Sequence, residues 1–154
     1  VTGKEYLITT KAKKYLEHSK ERTLNDFIKS NKIAWETYAK FGPIIDKFDT
    51  FICPTNAVTG IPANHGYPNL DYEFNGKLRS TKEDGDETMW LTTPFNMMSR
   101  LPVMSAPTGF ASNNIPTGMQ VVGKPYDDNS VFKVCLAYEK SLEWLFDKKN
   151  RPII

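Results

Sequence analysis

Two short runs constrain the fold more than any other feature. Leu101-Pro102-Val103-Met104-Ser105-Ala106-Pro107 and Thr117-Gly118-Met119-Gln120-Val121-Val122-Gly123 are apolar at nearly every position. Side chains alternate between the two faces of a strand, so a strand apolar throughout is one whose faces are both covered. Helical periodicity flanks both runs. Leu24, Phe27, Ile28, Asn31, Ala34, Trp35, Tyr38, Phe41 and Ile45 recur every three or four residues, as do Val131, Cys135, Tyr138, Leu142, Leu145 and Phe146. The alternation predicts an α/β chain, with a mixed β-sheet covered by helices on both faces.

Local signals set the expected boundaries. Thr2 precedes Glu5 at capping-box spacing, predicting a first helix over residues 4–20 with Lys11, Lys13 and Lys14 on its wet side. Thr23 and Asp26 open a second helix over 23–46, and Gly42-Pro43 is expected to kink or end it. Its aromatic stripe reads as core, so Trp35 and Tyr38 are assigned no ligand. A strand over 48–53 stops at Pro54. Residues 55–86 are broken by glycine, proline and asparagine and read as a long irregular loop. Strands over 101–107 and 117–123 follow, then a helix over 128–147 capped by Asp127 or Asp128.

Composition narrows the function. The 154 residues carry 20 basic against 18 acidic side chains, a net charge of +2 that gives no reason to expect direct nucleic-acid binding. No run approaches the roughly 18 consecutive apolar residues of a membrane span. Two cysteines, Cys53 and Cys135, make no disulfide framework and suit a reducing, cytoplasmic setting. The chain opens on Val1 and not Met, which reads as a processed product or a piece of something longer.

Tests for self-contained chemistry fail. The sequence has no G-x-S-x-G elbow, P-loop, dinucleotide glycine fingerprint or C-x-x-C pair. His18 and His65 have no carboxylate or cysteine at ligand spacing, so no metal and no cofactor is assigned. Ser130-Val131-Phe132-Lys133 matches S-x-x-K, but Ser130 opens an amphipathic helix without the other motifs of that chemistry, and the match reads as chance. No catalytic residue is assigned within the chain.

Residues 92–140 nevertheless carry an ordered set of motifs: Thr92-Thr93-Pro94-Phe95-Asn96, then Pro102-Val103-Met104-Ser105-Ala106-Pro107-Thr108-Gly109, then Ile115-Pro116-Thr117-Gly118-Met119-Gln120-Val121-Val122-Gly123, and lastly Ala137-Tyr138-Glu139. Together with Phe48-Asp49-Thr50-Phe51-Ile52-Cys53-Pro54-Thr55, this progression resembles the C-terminal part of the amidase signature family, which includes proteins like the A subunit of glutamyl-tRNA amidotransferase. The resemblance implies that residues 1–154 form the C-terminal segment of an amidase domain. Members are hydrolases that cleave carboxylic amides through a Ser–cis-Ser–Lys triad and an acyl-enzyme. That triad belongs to the N-terminal half of the family, and no lysine followed by a Gly-Ser-rich loop occurs here, so the chain alone is expected to be inactive.

In such relatives the stretch before and within the Pro-Phe-Asn motif lines the substrate pocket. The resemblance therefore implies substrate-binding roles for Met89, Trp90, Thr93 and Asn96, although Asn96 also suits tying a loop to backbone. Glutamine-binding members place an aspartate where Met89 stands, and an apolar side chain does not recognise an α-ammonium group. Ser99-Arg100 matches a pair found in broad-substrate amidases. The leading expectation is a general amidase segment partnered by a missing N-terminal part and taking a small amide substrate. The alternatives are the glutamine-hydrolysing component of a tRNA amidotransferase, its A subunit, and a non-catalytic remnant or binding module. Strands without their sheet neighbours predict self-association of the isolated chain.

Overall fold

A computed structural model describes residues 3–60, 71–74, 76–80, 89–142 and 147. The chain divides into two compact units, Val1–Thr37 and Tyr38–Ile154.

The first unit is helical. A 3-10 turn, Glu5–Leu7, precedes helix α1, Thr10–Lys20. The helix starts later than expected because Thr9 supplies the cap, its Oγ1 accepting from the Ala12 amide at 3.2 Å. The proposed Thr2 cap lies outside the described residues. Helix α2, Leu24–Ile45, opens with a reciprocal box. The Thr23 amide donates to the Asp26 carboxylate at 2.9 Å, and the Asp26 amide donates to Thr23 Oγ1 at 3.3 Å. The apolar stripe expected to be core is not buried along this part of α2: Phe27 is 65% and Trp35 67% exposed. Periodicity identifies an apolar face without specifying what covers it.

In the second unit, α2 runs through Pro43 and ends at Ile45, one residue short of the expected boundary. Proline removes one amide donor, but the carbonyl it would have served belongs to Ala39, which is exposed to water. Strands β1 (Thr50–Pro54), β4 (Val103–Phe110) and β5 (Pro116–Gly123) form a sheet in the order β1-β5-β4, antiparallel at both junctions. Register places Phe51, Val122 and Val103 on one face. There Ile45 of α2 packs with Val122 and with Phe95 and Met98 of helix α3, Thr93–Met98. Phe41 meets Phe51 edge-on, with ring centroids 5.5 Å apart, and lies 5.8 Å from Phe95.

Helix α4, Asp128–Ser141, covers the opposite face. Val131 approaches Gly123, and Tyr138 donates its hydroxyl to the Pro107 carbonyl at 3.0 Å. Asp127 is the cap, accepting from the Ser130 amide at 3.1 Å. Residues 143–146, expected to extend this helix, lie outside the described residues. The sheet thus has helices on both faces, as expected, but the strands are not equally covered. Gln120 to Gly123 of β5 are buried, whereas β4 alternates, with Val103, Ser105, Pro107 and Phe110 exposed. Its position at the sheet edge accounts for the difference. A register shift between Pro107 and Gly109 leaves Thr108 as an extra residue, and Gly109 takes φ 119° there.

Part of the expected loop 55–86 is regular. Strands β2 (Asp71–Phe74) and β3 (Lys77–Ser80) pair antiparallel, with Phe74 opposite Lys77. Gly76 has φ 72°, a conformation that favours glycine. Residues 61–70 and 81–88 of that loop lie outside the described residues.

Candidate functional site

An isolated β-bridge beyond the end of β1 organises the site. Past Pro54 the chain continues alongside residues 89–91. The Ala57 amide donates to the Met89 carbonyl at 2.8 Å, the Leu91 amide donates to the Thr55 carbonyl at 3.1 Å, and Asn56 bridges to Trp90. Met89 is 2% exposed and serves as core, while Trp90 is half-buried. Thr93 begins α3, its amide donating to the Trp90 carbonyl at 3.4 Å. Asn96 is exposed in the middle of α3.

The concave surface lies next to these residues. A cleft of about 540 Å³ opens at the end of the sheet, lined by Cys53, Thr55, Asn56, Thr108, Thr117 and Met119 among others from β1, residues 55–59, β4 and β5. None of Met89, Trp90, Thr93 and Asn96 lines it. The structure brings Met89 and Trp90 behind the cleft wall and leaves Thr93 and Asn96 on the adjoining helix.

Among the described residues the cleft lining carries hydroxyl, amide and thiol groups and no acidic or basic side chain. Its threonines are already oriented by backbone. Thr55 Oγ1 donates to the Gly118 carbonyl at 3.1 Å, Thr117 Oγ1 lies 2.9 Å from Thr108 Oγ1, and Thr117 Oγ1 also donates to the Gly109 carbonyl at 3.3 Å. Burial pushes the Cys53 thiol up, while the Gln120 side chain beside it acts in the opposite direction. A thiol held neutral in this way is a poor nucleophile. Burial also raises Cys135, and neither cysteine is in a disulfide.

Sequence reasoning missed Gln120. It is fully buried, and its Nε2 donates to two carbonyls, Pro54 at 3.1 Å and Leu91 at 2.9 Å. The available signal was a long polar side chain within an otherwise apolar strand, since buried amides need partners. The S-x-x-K match resolves as helix capping, with Ser130 bonded to Asp127 and Lys133 exposed. His18 is exposed near the end of α1, and His65 lies outside the described residues. Among the described residues no three metal-ligating side chains come together, and no helix is long and apolar enough to cross a membrane.

The sheet between α3 and α4 matches the fold of the C-terminal part of an amidase signature enzyme. A bacterial aryl acylamidase of that family superposes with a TM-score of 0.70 at 20% identity, covering 95% of this chain and 29% of its own. No protein-family model matches the chain. In sequence it is 30% identical over 128 residues to the A subunit of glutamyl-tRNA(Gln) amidotransferase from Lactococcus lactis subsp. lactis, covering 83% of this chain and 23% of that protein. The corresponding protein of Rippkaea orientalis is 29% identical over 130 residues, which are 82% of this chain and 23% of the relative. The chain therefore belongs to the amidase signature family, as a C-terminal segment, and spans about a quarter of the length of these curated relatives.

Proposed function

We propose that the chain forms the C-terminal portion of an amidase-signature hydrolase that cleaves carboxylic amides through an acyl-enzyme. The Ser–cis-Ser–Lys triad lies outside the chain, which is inactive alone. One observation supports the substrate class: among the described residues the cleft is lined by neutral hydrogen-bonding groups. A neutral amide leaves no charge unpaired in such a site, whereas free glutamine brings an ammonium and a carboxylate whose burial needs partners. Met89, buried where glutamine-binding relatives carry an acid, supports the same reading. Residues 89–96 act as support in this account, behind and beside the cleft that takes the amide. The partner is that N-terminal part, and the isolated chain pairs with itself. The cysteine usage supports a cytoplasmic setting.

The test is complementation. The chain is co-expressed with the region of the bacterial aryl acylamidase that precedes its matched segment, and hydrolysis of acetanilide and of glutamine is measured. The chain alone is expected to release neither aniline nor ammonia, and the pair to release aniline. Ammonia from glutamine without aniline would instead support the second reading, the glutamine-hydrolysing component of a tRNA amidotransferase, which the sequence relatives favour.

A further inference from the structure

We infer that Gln120 is the positioning residue of the cleft, clamping its wall to the segment that runs into α3. This rests on the reading of the cleft as the amide site. The Nε2 group has two N–H bonds and both are used, one on Pro54 and one on Leu91. Those carbonyls belong to two stretches 37 positions apart in the chain, Pro54 ending β1 and Leu91 leading into α3. Immediately beyond them the same stretches are joined by the Ala57–Met89 and Leu91–Thr55 backbone bonds. Thr55 and Asn56 line the cleft, so one amide fixes the place of both lining residues relative to Met89, Trp90 and Leu91.

The other end of the side chain strengthens the argument. Gln120 Oε1 is sealed from solvent and has no hydrogen-bond partner among the described residues. An orphaned buried acceptor is costly, and a methionine of similar length would fill the space without one. What methionine cannot do is hold two carbonyls at once. The amide therefore acts by placement, not by net stabilisation, and the segment from Met89 to Thr93 moves with the cleft wall as one body.

Amide hydrogen exchange on the full chain tests this with Gln120→Met and Gln120→Glu, alongside acetanilide titration followed by amide chemical shifts. In Gln120→Met the Ala57 and Leu91 amides should exchange about tenfold faster, the loss expected for a hydrogen-bonded clamp. The Gly123 amide, held by the Pro102 carbonyl elsewhere in the sheet, should be little changed. Acetanilide should bind Gln120→Met more weakly by a similar factor. Gln120→Glu supplies a rescue that a packing role would not show. A buried carboxylate facing two carbonyls repels them and has a raised pKa, while the protonated acid can donate to one. Protection at Ala57 and Leu91 should thus be poor at high pH and return as pH falls, at a pH above the ordinary glutamate value of about 4.3. Equal acceleration at Gly123, absence of acid rescue, or equal acetanilide affinity in both proteins overturns the clamp. If acetanilide binds neither the unaltered chain nor its pair with the N-terminal region while the exchange pattern holds, the clamp is supported and the amide-site reading fails.

Discussion

At Gly123 an added Cβ would lie 2.6 Å from Val131 Cγ2, 2.9 Å from Pro102 Cγ and 3.0 Å from the Asp127 carbonyl oxygen. The last neighbour is backbone and cannot turn aside, so α4 and β5 meet here at the closest distance a hydrogen allows. Gly123→Ala is expected to destabilise the second unit by about 1–3 kcal/mol, the usual range for overpacking. Urea unfolding monitored by circular dichroism measures it, and an unchanged midpoint would refute the close approach. Gly60 offers a contrast, because its added Cβ would meet the terminal Cδ1 of Ile115, which can rotate away. Gly123 was legible in the sequence only as the end of an apolar run. Gln120 was legible as an anomaly within that run, but its two carbonyl partners come from stretches that only the fold brings together.

At the scale of elements, what the sequence revealed follows from whether the signal is local. The capping pairs Thr23–Asp26 and Asp127–Ser130 sit three residues apart, and both form. Asp127 is held below the usual carboxylate range mainly by the Ser130 side chain and amide, and Asp26 likewise by the Thr23 amide and hydroxyl. A carboxylate depressed in the folded state contributes stability above its unfolded pKa, about 3.9, and loses it as pH falls through the lower folded value. Acid should therefore fray the start of α4 below about pH 3.9. Asp127→Asn keeps a capping acceptor without the titration, and should flatten this part of the acid transition in far-ultraviolet circular dichroism. An identical acid profile in both proteins would show that the cap charge does not matter. The hairpin β2–β3 was missed although Asn75-Gly76 is a strong turn signal, because the surrounding glycines and prolines masked the two strands of four residues. The boundary of α1 was misplaced because Thr9 supplies the cap of the helix that starts at Thr10.

For the molecule as a whole, the sequence identified helices and strands but not their cover. The stripe from Leu24 to Trp35 has helical spacing and lies exposed, while the continuation at Tyr38, Phe41 and Ile45 packs into the core of the second unit. Periodicity was equally clear in both halves, so helical spacing alone does not tell which apolar residues are buried. The exposed half carries the prediction about assembly. Sedimentation velocity should show concentration-dependent association of the chain, and Trp35→Glu should shift it toward monomer. A monomer at all concentrations, or association indifferent to the substitution, would remove the exposed stripe as its cause.

The strand order β1-β5-β4 also bears on how the chain is made. β1 pairs along its length with β5, Thr50 opposite Gly123, and β4 reaches β1 only through that central strand. A ribosome synthesising from Pro54 to Pro116 at about 5–20 residues per second takes roughly 3–12 s. During that interval β1 has emerged without its ladder partner, and the clamp residue Gln120 has not yet been made. The sheet is therefore a late event in synthesis, completed when its middle strand arrives. A nascent chain halted before residue 116 would expose the apolar side chains of β1 to whatever holds unfolded chains in the cell.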